Sequence, residues 1–81
     1  MEMNDTVIER IILTIVDELC IDDVNINRNT KLSSELEINS LELLNVVMVL
    51  EEDFEVTFEE ERVKKLKTVG DIAEYIEELK K

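Results

Sequence analysis

Few side chains in this sequence are of a type that does chemistry. Ser40 is the first candidate. It follows Asn39, a good helix N-cap, and precedes an apolar run, so its hydroxyl sits where a helix opens. No base is at hand to activate it. The chain has no His, which removes Ser-His-Asp triads and Cys-His pairs. With one Cys as well, Cys/His zinc sites and an internal disulfide are excluded. Cys20, closing the first helix, reads as a small buried apolar residue with no basic neighbour in sequence to make it reactive. Asp23-x-Asn25-x-Asn27 resembles the opening of an EF-hand calcium loop, but the sixth position, which needs Gly, is Arg28 and the twelfth, which needs Glu, is Ser34. These are read as turn residues. Carboxylates are so abundant that no pair stands out as an acid/base couple. Lys64, Lys65 and Lys67 form a small basic cluster, read as offsetting the acidic turns nearby. No metal site and no catalytic set emerge, so an enzyme is not expected.

The elements that must hold these residues are small. Eighty-one residues make one domain near the lower limit for a core without staples. Nine basic and twenty-one acidic residues give a net charge of −12. Such a chain repels phosphate backbones and anionic membranes and is steered toward basic protein surfaces. The longest apolar run, 46–50, is five residues, far short of a membrane span. The acidic start, Met1-Glu2-Met3-Asn4-Asp5, is unlike a secretory signal. A soluble, monomeric, cytoplasmic protein is expected.

Four helices are predicted. Val7, Ile8, Ile11, Ile12, Ile15, Val16 and Leu19 recur at helical spacing over 6–20, with Thr6 and Glu9 as a capping box and Asn4 or Asp5 as other caps. A polar connection, 21–39, follows. Leu32, Leu36 and Ile38 are expected to pin it to the core, with a short helical turn near 33–36. The second helix covers 40–53, capped by Asn39 with Glu42 at its third position. A short third helix covers 58–66, capped by Thr57 with Glu60. Thr68 caps the last helix, 69–80, whose apolar stripe is Val69, Ile72, Ala73, Ile76 and Leu79. Lys80 and Lys81 stand at its negative end.

The second helix carries more apolar surface than one core contact needs. At about 100° per residue, Leu43, Val46, Val47, Leu50 and Phe54 share one face. Leu41, Leu44 and Met48 fall on another, bordered by Glu42, Glu51 and Glu52. An apolar strip rimmed by carboxylates fits a transient docking surface. It also fits a strip covered by the long connection and the third helix. Both readings stand at this stage.

The run Glu35-Leu36-Glu37-Ile38-Asn39-Ser40-Leu41, continuing through Glu42-Leu43-Leu44-Asn45-Val46-Val47-Met48-Val49-Leu50-Glu51-Glu52-Asp53-Phe54, resembles the acyl carrier protein family. That family has an Asp-Ser-Leu signature at the start of its second helix, then apolar residues, acids and Phe. The first-helix stripe, the long connection, the short acidic third helix and Thr68-Val69 fit as well, so the resemblance covers nearly the whole chain. It implies an all-α fold: a four-helix bundle of acyl-carrier type, one carrier domain over 1–81. It implies that Ser40 carries 4′-phosphopantetheine, delivered from coenzyme A by a separate magnesium-dependent phosphopantetheinyl transferase, and that the arm holds acyl or aminoacyl groups as thioesters. Asn39, Leu41, Glu42, Leu44, Asn45, Met48, Glu51 and Glu52 would then form the docking surface for enzymes with basic patches. A phosphodiester at Ser40 suits the positive end of a helix.

The departures carry expectations of their own. Asn39 replaces the signature Asp, which keeps the cap but removes a charge a transferase would read. Glu37 stands where the family has Gly, so the approach to Ser40 is expected to follow a different path. Ile38 replaces a small residue and Asn45 an acid. Together they imply a specialised carrier with a dedicated transferase. The competing function is an acidic helical interaction module in which Ser40 stays unmodified.

Overall fold

The computed structural model describes residues 3–21 and 26–80, with side chains from Thr6 onward. Its helices are α1 (Met3–Leu19), α2 (Ser40–Phe54), α3 (Glu60–Val63) and α4 (Val69–Leu79). The Asp23 and Asn25 positions of the calcium-like motif, the Asn4 and Asp5 side chains and Lys81 lie outside the described residues. Among the described residues no helix is long and apolar enough to cross a membrane.

The predicted stripes meet in one core, except that Leu79, in the last turn of α4, is exposed and lies outside it. α1 packs along both α2 and α4. Ile11 and Ile15 of α1, Val46 and Leu50 of α2, and Val69, Ile72 and Ile76 of α4 are fully buried. Each contributes about 1.5–3 kcal/mol by leaving water, so a few such contacts match the whole net stability of a small domain. Leu43 and Phe54 are half-buried against this core.

The ends of α1 differ from expectation. No Gly or Pro stops the helix before Thr6, and it opens at Met3, which places Thr6 inside it and not at its cap. At the other end Cys20 takes a left-handed conformation, φ 54°, and the Ile21 N–H donates to the Val16 carbonyl at 3.3 Å. That is a Schellman stop with Cys in the place usually held by Gly. Cys20 is therefore exposed beyond the helix end and is not the buried apolar residue expected.

The third helix is the larger correction. It is four residues long, and neither Thr57 nor Glu60 forms the expected box; Glu59 holds the cap position without a side-chain bond. The reason lies in long-range partners. The Phe58 N–H donates to Glu51 Oε2 at 2.7 Å, and the Glu59 N–H donates to the Tyr75 hydroxyl at 2.9 Å. Phe58 is buried edge-on to Tyr75, centroids 4.9 Å apart. These anchors hold the chain extended up to Glu59. Arg62 of α3 then lies 4.3 Å over the Tyr75 ring and pairs with Glu78 at 2.7 Å. The bond to Glu78 raises the guanidinium pKa above its ordinary value, so Arg62 stays charged.

The connection between α1 and α2 is tied down mainly at the start of α4. The Leu32 N–H donates to Lys67 O, the Val69 N–H to Thr30 O and the Gly70 N–H to Arg28 O, at 2.8, 3.1 and 2.8 Å. Leu32 and Ile38 are buried and Leu36 half-buried, as their spacing predicts. A turn at 32–35 is closed by the Glu35 and Leu36 N–H groups on the Lys31 carbonyl. Asn27 acts as a turn residue, accepting the Asn29 N–H on its side chain at 2.8 Å.

Candidate functional site

Ser40 is the first residue of α2, and its surroundings follow from local cap chemistry. Asn39 is extended, φ −87° and ψ 175°. Its Oδ1 accepts the Glu42 N–H at 2.8 Å, and Glu42 Oε1 accepts the Asn39 N–H at 3.1 Å. This is the expected capping box. The Leu43 N–H donates to the Asn39 carbonyl at 2.9 Å. Among the described residues the N–H groups of Ser40 and Leu41 meet no protein acceptor. Two unclaimed amides at the positive end of a fifteen-residue helix suit an anionic oxygen. The Ser40 side chain is exposed beside them. The first turn of α2 therefore fits a phosphodiester on Ser40 Oγ.

The approach to Ser40 keeps a left-handed residue. Glu37 sits at φ 54°, the conformation Gly would take at no cost. Glu37 thus adopts a strained conformation on the approach to Ser40 that a side-chain-bearing residue rarely takes. Ile38 fixes it, with its side chain buried and its N–H on Leu32 O at 3.0 Å.

An open cleft of about 890 Å³ begins at Ser40. Ser40, Leu43 and Leu44 of α2 line it together with Leu32 and Ile38 of the connection, Val63 of α3 and Leu66. Lys31, Lys64 and Lys67 stand on its rim. Sequence reasoning missed this cleft. Among the described residues neither Lys64 nor Lys67, nor Lys31, makes an ion pair, so any offset they give the acidic turns acts without direct contact.

The remaining candidates lie on the outer face of α2. Leu41, Leu44 and Met48 are 68%, 46% and 62% exposed, so neither the connection nor α3 covers them. Asn45, Met48, Glu51 and Glu52 line a shallow depression shared with Glu18 and Val56. The acids are not equivalent. Glu42 closes the cap and Glu51 holds Phe58, while Glu52 is exposed. Asp53 pairs with Arg10 at 3.2 Å. Among the described residues no cluster of His, Cys, Asp or Glu could hold a metal ion.

The comparisons with known proteins agree with this geometry. Residues 9–76 match the family model described as the phosphopantetheine attachment site. The acyl carrier protein of Chlamydia felis (strain Fe/C-56) is 41% identical over 64 residues, covering 79% of this chain and 82% of that protein. The crystal structure of an acyl carrier protein from Thermotoga maritima superposes with a TM-score of 0.83 over 94% of this chain and 88% of its own, at 18% identity, which speaks for the fold. A helix-opening serine with unclaimed amides, a four-helix frame and a family match across most of its length together establish that the chain belongs to the acyl carrier proteins, non-enzymatic carriers with a covalently attached 4′-phosphopantetheine.

Proposed function

We propose that Ser40 is the attachment point of the phosphopantetheine arm and that the chain carries acyl or aminoacyl groups on it as thioesters. One observation carries this reading: Ser40 is an exposed serine at the start of α2, beside two amides that meet no acceptor among the described residues. Loading forms a bond between Ser40 Oγ and the β-phosphorus of coenzyme A. The bond to 3′,5′-adenosine diphosphate breaks, and the hydroxyl proton leaves. The chain lacks a base for this step, so a phosphopantetheinyl transferase supplies it. When bound, the arm supplies a terminal thiol that holds the cargo. What the chain contributes is position. Asn39 and Glu42 fix the first turn, and the amides of Ser40 and Leu41 would be the donors available to the phosphodiester.

Partner enzymes would dock on the outer face of α2. Leu41, Leu44 and Met48 offer contact area, and Met repacks readily between partners. Glu42, Glu51 and Glu52, with the polar Asn39 and Asn45, would steer basic surfaces toward it. Weak, fast encounter suits a carrier that visits several enzymes, and the tether raises the effective concentration of its cargo at each. We read the whole chain as one carrier domain working in the cytoplasm. Asn39 and Asn45, each an acid in the family pattern, favour a specialised pathway and a dedicated transferase.

The test is intact mass after incubation with coenzyme A, Mg²⁺ and a panel of transferases. A gain equal to one phosphopantetheine, absent in Ser40→Ala, is expected. No gain with any transferase would leave an acidic interaction module with Ser40 unmodified.

A further inference from the structure

The cleft at Ser40 has an unusual charge for this chain. The protein carries −12 overall, yet Lys31, Lys64 and Lys67 gather on one rim, none ion-paired among the described residues. Two acids also line the cleft, Glu60 and Asp71. Asp71 keeps its charge, though its Oδ2 is turned to the Lys67 and Thr68 N–H groups at 3.0 and 3.1 Å, so three positive groups face two negative ones in a chain that is otherwise strongly acidic. Asn39, on the same cleft, adds no charge. Beneath the rim the lining is apolar: Leu32, Ile38, Leu43, Val63 and Leu66. Apolar lining with a cationic rim complements an amphiphile with an anionic end.

We propose that this cleft selects acyl cargo ending in a carboxylate. The methylenes of the acyl chain lie on the leucine, isoleucine and valine lining, and the carboxylate meets the lysine rim. The inference rests on Ser40 bearing the arm, and it names the cargo class of that arm. A plain alkyl chain would use the lining and leave the lysines idle.

The test uses soluble probes, so that it does not depend on loading. Butyryl-pantetheine and succinyl-pantetheine, both as amides, share a four-carbon acyl chain and differ by one terminal carboxylate. Each is titrated onto the full apo chain while backbone amide shifts are followed. The succinyl probe should bind about threefold tighter at low salt, the effect of one partly exposed ion pair. Its shifts should fall on residues 31–34 and 63–68. High salt, or Lys→Gln at Lys31, Lys64 and Lys67 together, should bring the ratio close to one. These lysines are exposed, and the amide spectrum of the variant checks its fold.

Equal binding of the two probes would overturn the inference. So would a preference that survives in the triple variant. 4′-Phosphopantetheine without cargo is the third probe. If it produces the succinyl pattern at equal affinity, the lysines hold the arm's phosphate and the cargo reading falls. Should Ser40 gain no mass with any transferase while the succinyl preference persists, the carrier reading fails and the anion-selective cleft stands.

Discussion

Glu51 on α2 holds the backbone of Phe58 through its carboxylate, Oε2 to N–H at 2.7 Å. The pair is seven residues apart and part-buried. It keeps residues 56–59 out of a helix and directs the Phe58 ring onto Tyr75. A residue whose type suggests a docking acid is thus also a structural acceptor. Glu51→Ala should cost about 1–2 kcal/mol, because a part-buried N–H loses a charged acceptor. Glu51→Gln keeps an acceptor oxygen and should cost less. The exposed Glu52→Ala should stay within about 0.5 kcal/mol. Urea unfolding of the three variants gives the order, and equal losses for Glu51→Ala and Glu52→Ala would show that the bond contributes nothing.

The cap of α2 separates stability from recognition. Asn39→Ala removes one half of the capping box and should lower stability by about 1 kcal/mol. Asn39→Asp keeps the acceptor and adds a charge favoured by the dipole, with a gain of about 0.3–1 kcal/mol. If Ser40 is the loaded residue, Asn39→Asp should also speed loading by a transferase with a basic face, and salt should erase the gain. Initial rates at two ionic strengths measure this. A faster rate that ignores salt would mean that the added charge is not what the transferase reads.

Legibility in the sequence follows the range of the interactions. The start of α2 is readable because its cap is local: Asn39 and Glu42 are three residues apart and find each other. Leu41, Leu44 and Met48 are readable as a separate face because α2 is regular, but that the face stays uncovered depends on where the connection and α3 pack, which periodicity does not fix. α3 is misread because Thr57 and Glu60 satisfy every local rule while Glu51 and Tyr75, from other elements, take the amides of Phe58 and Glu59. The cleft is invisible for the same reason. Its lining comes from the first connection, the start of α2, and α3 with the segment joining it to α4, which no short window of sequence contains together. Lysines flanking isolated apolar residues, as in Lys31-Leu32 and Lys65-Leu66-Lys67, are the signal that remains.

Glu37 stores strain beside Ser40. A side-chain-bearing residue in the left-handed region costs about 1–2 kcal/mol. Glu37→Gly relieves this and loses part of the gain to a freer unfolded chain, for a net rise of about 0.5–1 kcal/mol. The midpoint of thermal unfolding should move up by a few degrees. Because the backbone at Glu37 already lies in the left-handed region that Gly occupies freely, the amide shifts of Asn39 and Ser40 should change little. A lower midpoint would mean that the Glu37 side chain contributes more than its backbone strain costs.

Gly70 decides how closely the first connection approaches α4. Its N–H donates to the Arg28 carbonyl at 2.8 Å, and a Cβ on this residue would stand 2.9 Å from the same oxygen. The obstacle is backbone, not the end of a flexible side chain. Two effects oppose each other in Gly70→Ala. Ala favours the helix by about 0.8–1 kcal/mol. Overpacking against the Arg28 backbone costs about 1–3 kcal/mol and stretches the Gly70–Arg28 bond. The clash should win, with a net loss of up to about 2 kcal/mol. The loss should also be local. Arg28 and Thr30 receive the Gly70 and Val69 N–H groups, and Leu32 donates to Lys67, so displacing this strand of chain loosens the wall that carries Lys31 and Leu32. Hydrogen exchange should quicken at Leu32, Val69 and Gly70 and stay unchanged at Val46 and Val47 in the α2 core. An alanine variant as stable as the parent, with unchanged exchange at those amides, would show that the connection backs away freely and that its close approach to α4 is not what holds the cleft in shape.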